Sequence, residues 1–131
     1  MAEGFEIRLD ESPFQKFLGL ELLRAEEGRV EIRMPFRPEF LRLDGSDWLH
    51  GGILSALIDI AGDYAVITRT GGDVPTVDLR VDYLRPARGS LIAVGRAIKV
   101  GRTVGIADVE VRDEEGALIA IGRGTYLVPR P

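Results

Sequence analysis

Few residues in this chain have side chains suited to chemistry, and the most telling of them gather in one short stretch. His50 is the only histidine, and there is no cysteine. His50-Gly51-Gly52 stands directly before an apolar, proline-free run, which Asp59 and Asp63 interrupt four residues apart. If the run is helical, the tripeptide sits at its N-terminus, where backbone amides lack intrahelical acceptors and the helix dipole adds positive potential. Such a place suits a negatively charged oxygen, and glycine lets a carbonyl approach the amide closely. It can serve as an oxyanion hole, stabilising charge that develops on a carbonyl under attack. The tripeptide alone fits a glycine-rich helix start without a ligand at least as well.

Asp59 is the second element. On its face of the run only Asp63 and the Ser55 hydroxyl share its capacity for base or nucleophile chemistry. Carboxylates at i and i+4 repel by roughly a few tenths of a kcal/mol when exposed and by more when buried, so either something compensates them or the face is simply solvated. Asp59 lies eight residues beyond Gly51, about 12 Å along a helix, too far for one small carbonyl to touch both in one chain. Two copies paired about a twofold axis with antiparallel helices would bring Asp59 of one to the helix start of the other.

The elements that must position these groups are legible from periodicity. From about His50 to Arg69 the helical reading places Ile53, Leu54, Leu57, Ile60, Ala61 and Tyr64 on one face and Ser55, Asp59, Gly62 and Asp63 on the other. The second face carries no lysine or arginine before Arg69, so the helix reads as buried nearly all round. Ser12-Pro13 and Gly19 bracket a short helical turn. Strands are expected near 20–25 and 29–34 around the Glu26-Glu27-Gly28 hairpin, followed by an irregular loop from Pro35 to about Leu49. After the helix, Thr76 to Tyr83 alternates strictly, with Val77, Leu79, Val81 and Tyr83 on one side and Thr76 on the other. Further strands are expected near 91–100, 103–112 and 117–128. Two strands, a long helix and four strands predict an α+β fold, an antiparallel sheet curled around one central helix, in a single domain spanning residues 1–131.

Composition narrows the chemistry. A chain of 131 residues suffices for one core, and lack of cysteine with a single histidine makes a metal site improbable, so no metal or cofactor is expected. The acidic start, MAEGFEIRLDESPF, does not resemble a signal peptide. The longest apolar stretch, Ile53 to Ile67, is interrupted by acids and shorter than the roughly 20 residues that a bilayer needs. A cytoplasmic location without membrane association is expected. A net charge of −4 argues against general nucleic-acid binding. Between Arg80 and Arg102, however, the bases Arg80, Arg85, Arg88, Arg96, Lys99 and Arg102 face the one acid Asp82, a segment that would attract phosphate or else is solvated strand surface.

Together His50-Gly51-Gly52 with Asp59, Thr76-Val77-Asp78-Leu79, Tyr83-Leu84-Arg85-Pro86-Ala87, Gly101-Arg102-Thr103-Val104, Gly116-Ala117-Leu118 and Gly124-Thr125 carry a family likeness. From about Phe14 to Val128 the chain resembles the phenylacetic-acid-pathway (PaaI-like) branch of the hotdog-fold acyl-CoA thioesterases. The resemblance implies a sheet wrapping a central helix, dimers joined edge to edge and commonly a homotetramer built as a dimer of dimers. It implies hydrolysis of an aryl- or medium-chain acyl-CoA, with Asp59 as general base or nucleophile and the Gly51 amide polarising the thioester carbonyl. His50 would orient substrate or loop, and Thr76 would help position water. Gly52 and the basic residues Arg85, Arg88, Lys99, Arg102 and Arg123 become candidates for holding substrate. Two departures stand out: Asp44 where many relatives carry asparagine, and Asp63 where relatives more often carry a small or apolar residue.

Two other functions share these features, an acyl-CoA hydratase or dehydratase on the same fold and a non-catalytic acyl-CoA-binding module. The flanking glycines favour hydrolysis over the former, and no DNA-binding segment accompanies the latter. A Ser-His-Asp triad fits poorly, since His50 has no identifiable serine partner and G-x-S-x-G is absent; there is no P-loop either. Leu54, Leu57, Ile58, Tyr64, Trp48 and Phe40 are equally plausible as acyl-pocket lining and as ordinary core.

Overall fold

The computed structural model describes residues 6–130; the first five residues of the acidic N-terminal stretch and Pro131 lie outside the described residues. Helix α1 (Pro13–Leu18) begins where the Ser12 side chain accepts the Gln15 amide and ends at Gly19 in the left-handed region, φ 69°. Strands β1 (Glu21–Glu26) and β2 (Arg29–Met34) form the first hairpin. The loop after β2 contains one 3-10 turn, Pro38–Phe40, and leads into α2 (Gly51–Thr70). Four strands complete the chain: β3 (Thr76–Tyr83), β4 (Leu91–Val100), β5 (Val104–Asp113) and β6 (Leu118–Leu127).

All six strands join in one antiparallel sheet ordered β1-β2-β4-β5-β6-β3, with α2 packed against β2 to β6. This is the hotdog architecture that the motifs implied. The helix approaches the sheet centre closely because β4 carries Gly95, where a Cβ would stand 2.4 Å from the Ala61 carbonyl oxygen. Leu54, Leu57, Ile58, Ala61, Ala65 and Val66 of α2 are buried against Val30, Ile32, Ala93, Val109 and Val111 of the sheet.

Gly62, on the side of α2 that carries Asp59 and Asp63, is buried, and so is Ile58, in keeping with a helix expected to be covered nearly all round. The helix also runs twenty residues, long and apolar enough by length and composition to cross a bilayer. Its apolar side chains are instead covered by the sheet.

Strand β3 lies at the sheet edge, paired only with β6. Its register slips between Thr76 and Asp78, so Val77 is an extra residue in the strand. The slip breaks the strict alternation expected from Thr76 to Tyr83. Thr76 pairs with Tyr126, whose side chain is fully buried, and like it turns toward the helix. Val77 is left 60% exposed.

Candidate active site

The helix start is built as its residue types require. His50 is the N-cap of α2, with φ −63° and ψ 134°, and its Nδ1 accepts the Gly52 amide at 2.9 Å. This bond leaves Nε2 to carry the proton of a neutral ring. Gly52 therefore spends its amide inside the protein. The Ile53 amide donates to the His50 carbonyl at 3.0 Å. The Gly51 amide has no acceptor among the described residues. It is the free donor at the positive end of a twenty-residue helix.

Above Gly51 stands Tyr83, at the end of β3. Its hydroxyl donates to the Gly51 carbonyl at 3.2 Å and pairs with the Ser55 hydroxyl. A Cβ on Gly51 would stand 3.4 Å from the Tyr83 ring, an ordinary contact. A cleft of about 340 Å³ opens there, lined among others by Trp48, Gly51, Leu54, Tyr83, Leu84 and Arg85. Of the possible acyl-pocket residues, the cleft takes in Trp48 and Leu54, whereas Phe40, Leu57 and Ile58 are fully buried core. Tyr64 reaches the other way, donating to Gln15 at 3.1 Å.

Two turns along α2, the Asp59 carboxylate accepts the Thr76 hydroxyl at 2.8 Å, a bond that the slip in β3 makes possible. The Asp59 backbone carbonyl accepts the Tyr126 hydroxyl at 3.0 Å. Tyr126 reaches it through a slot left by two glycines: a Cβ at Gly62 would stand 2.4 Å from the hydroxyl and one at Gly124 2.2 Å. Burial, helped by the charges of Asp59 and Asp63, holds this phenol protonated well above the usual range. Tyr126 was not anticipated; glycines inside a helix and inside a strand are the sequence sign of such a close approach.

The basic candidates are dispersed. Arg85 donates to the Leu118 carbonyl at 2.8 Å, and Arg88 pairs with Asp47 at 2.9 Å. Arg123 alternates with the inward Gly122 and Gly124, so it lies on the outer face of the sheet, where it grips Asp108 with two nitrogens at 2.6 and 2.9 Å. Lys99, near the end of β4, and Arg102, in the turn after it, are exposed and make no side-chain hydrogen bond among the described residues. Asp44 is exposed on the loop before α2. One chain thus brings His50, Gly51 and Gly52 together at one end of α2 and Asp59 with Thr76 farther along.

A free helix-start amide and a carboxylate held by Thr76 lie on one long helix packed against a six-stranded antiparallel sheet, the hotdog architecture. A family model described as the thioesterase superfamily matches residues 48–120, more than half of the chain, and the protein belongs to that superfamily of thioester hydrolases. A medium/long-chain acyl-CoA thioesterase of Escherichia coli, YigI, is 31% identical over 88% of this chain and 85% of its own. The X-ray structure of a thioesterase-superfamily protein, 41% identical, superposes with a TM-score of 0.88 over 92% of both chains. Escherichia coli PaaI, from the phenylacetic acid degradation operon, shares the fold with a TM-score of 0.83 over 92% of this chain and 86% of its own, at 24% identity.

Proposed function

We propose that the protein hydrolyses acyl-CoA thioesters to the free acid and CoA at sites shared between two protomers. The observation that carries this reading is the pairing of features on α2: a Gly51 amide without an acceptor among the described residues and, eight residues on, a carboxylate oriented by Thr76. Because the two are separated by about 12 Å along the helix, the twin's Gly51 is the partner that Asp59 requires. The fold favours such a twin beside β3. That edge strand has its outer backbone unpaired, and Val77, Tyr83 and Leu84 are exposed along it.

In the reaction, the Gly51 amide donates to the thioester oxygen as negative charge builds on it. Asp59 either removes a proton from water as the water attacks, or attacks directly to give an acyl-aspartate that water then opens. In both routes the C–S bond breaks, one water is consumed, and the CoA sulfur leaves with a proton. The name of the YigI relative supports a medium or long acyl chain, and the aromatic and aliphatic cleft beside Gly51 suits such a group or an aryl one.

The test is release of free thiol from aryl, short, medium and long acyl-CoAs by wild type beside Asp59→Asn. Wild type should release thiol, and the variant should be slower by at least about a hundredfold. Absence of release, or an unchanged rate in the variant, would refute the proposal. Loss of enoyl-CoA absorbance without thiol would instead identify a hydratase, and tight binding without turnover a binding module.

A further inference from the structure

Asp63 is an acidic group on α2 that hydrolysis at Asp59 does not use. It lies one turn beyond Asp59 on the strip formed with Ser55, and its Oδ1 is buried without a hydrogen-bond partner among the described residues. Among the described residues of the chain, the elements packed around it offer no cation. Its own helix presents Asp59 and Tyr64, the segment between α2 and β3 presents Asp73, and β6 presents the Tyr126 hydroxyl. That hydroxyl is committed to the Asp59 carbonyl, and the Thr76 hydroxyl to the Asp59 carboxylate. Arg69, the nearest cation along the helix, carries its guanidinium over Gly28 in the β1–β2 hairpin. No salt bridge among the described residues includes Asp63.

An ionised carboxylate placed so would be desolvated, faced by other acids and short of a donor, whereas a protonated one carries no charge to desolvate. We infer that Asp63 is a positioning residue for hydrolysis: as a neutral acid it leaves Asp59 the single anion on this strip, and its ionisation slows the reaction. This inference rests on the hydrolytic reading above.

Its chemistry follows from charge. The transition state places new negative charge on the thioester oxygen near Asp59, and a second carboxylate one turn away opposes that charge in a site partly shielded from water. Burial first, then the charges of Asp59 and Asp73, push the Asp63 carboxyl up to about 7, so the step falls in an accessible pH range.

The experiment follows kcat of the purified full chain from mildly acidic to mildly alkaline pH for wild type, Asp63→Asn and Asp63→Glu, with an acyl-CoA that wild type turns over. Wild-type kcat should fall about tenfold as pH rises through about 7. Asp63→Asn should lose that step, and Asp63→Glu should restore one. Infrared difference spectra should show a protonated-carboxyl band in wild type that disappears over the same range and is absent from Asp63→Asn. A step that persists in Asp63→Asn, or a wild type without the band, would overturn the inference. If no acyl-CoA is hydrolysed, the functional reading fails, and with it the role in catalysis; the infrared titration still reports separately whether Asp63 carries the proton.

Discussion

Replacing Gly51 with proline removes the amide hydrogen of the proposed site and closes a pyrrolidine ring onto the nitrogen in its place. Gly51 is the first residue of α2, where proline is well accommodated because its missing amide would have no helical acceptor. The preceding residue must avoid the helical region, and His50, at φ −63° and ψ 134°, already does. No internal hydrogen bond is lost, since the Gly51 amide makes none among the described residues. A Cβ there meets the Tyr83 ring at 3.4 Å, an ordinary contact. Stability should therefore change by no more than about 1 kcal/mol, with the reduced freedom of the unfolded chain favouring the variant. Catalysis should suffer far more, because losing one oxyanion donor costs about 3 kcal/mol, or roughly 10²–10³ in kcat. Gly51→Ala is the control: it adds the Cβ and keeps the amide. Thiol release and thermal melting should be measured on both variants beside wild type. If Gly51→Pro melts like wild type and hydrolyses within about threefold of it, the amide is not the oxyanion donor and the reasoning fails.

Thr76→Val removes the hydroxyl that orients the Asp59 carboxylate and should lower kcat about tenfold with little change in KM, while Thr76→Ser restores most of it; an unchanged kcat would separate Thr76 from the chemistry. Asp63 also predicts a stability profile. Its folded-state carboxyl, near 7, exceeds the unfolded value of about 3.9, so the folded state holds the proton more tightly and loses stability as pH rises between them. The loss is on the order of 4 kcal/mol, complete above about 7 and absent below about 4. Denaturant titrations at fixed protein concentration should show Asp63→Asn gaining on wild type across that window, and parallel curves would contradict the assignment.

What the sequence revealed follows the range of the interactions involved. Strand alternation and helix period are local, so every strand after α2 was anticipated to within a residue or so, as was the turn made by Ser12, Pro13 and Gly19. The places of Gly51 at the helix start and of Asp59 two turns along were legible for the same reason, since a helix start and an acid in an apolar run declare themselves without knowledge of the fold. Thr76 was singled out through the family resemblance, but the bulge that turns it toward the helix was not legible, because it is made against β6, a strand more than forty residues away. Tyr126 was missed likewise: the slot that admits it joins Gly62 and Gly124 only after the helix lies on the sheet. Repulsion between Asp59 and Asp63 was foreseen as needing compensation. No cation among the described residues stands beside Asp63, whose buried Oδ1 has no partner there, and burial pushes its carboxyl up, toward the neutral form that would relieve the repulsion.

The sharing of each site between protomers is tested most directly by mixing two inactive variants. Asp59→Asn and Gly51→Pro, each nearly dead alone, should be co-expressed and assayed as mixed dimers for thiol release. In a mixed dimer with shared sites, one site keeps both native groups and the other loses both, so random pairing should restore about a quarter of wild-type activity. If each chain instead held a complete site, every site in the mixture would be defective, and activity would stay at the level of the separate variants.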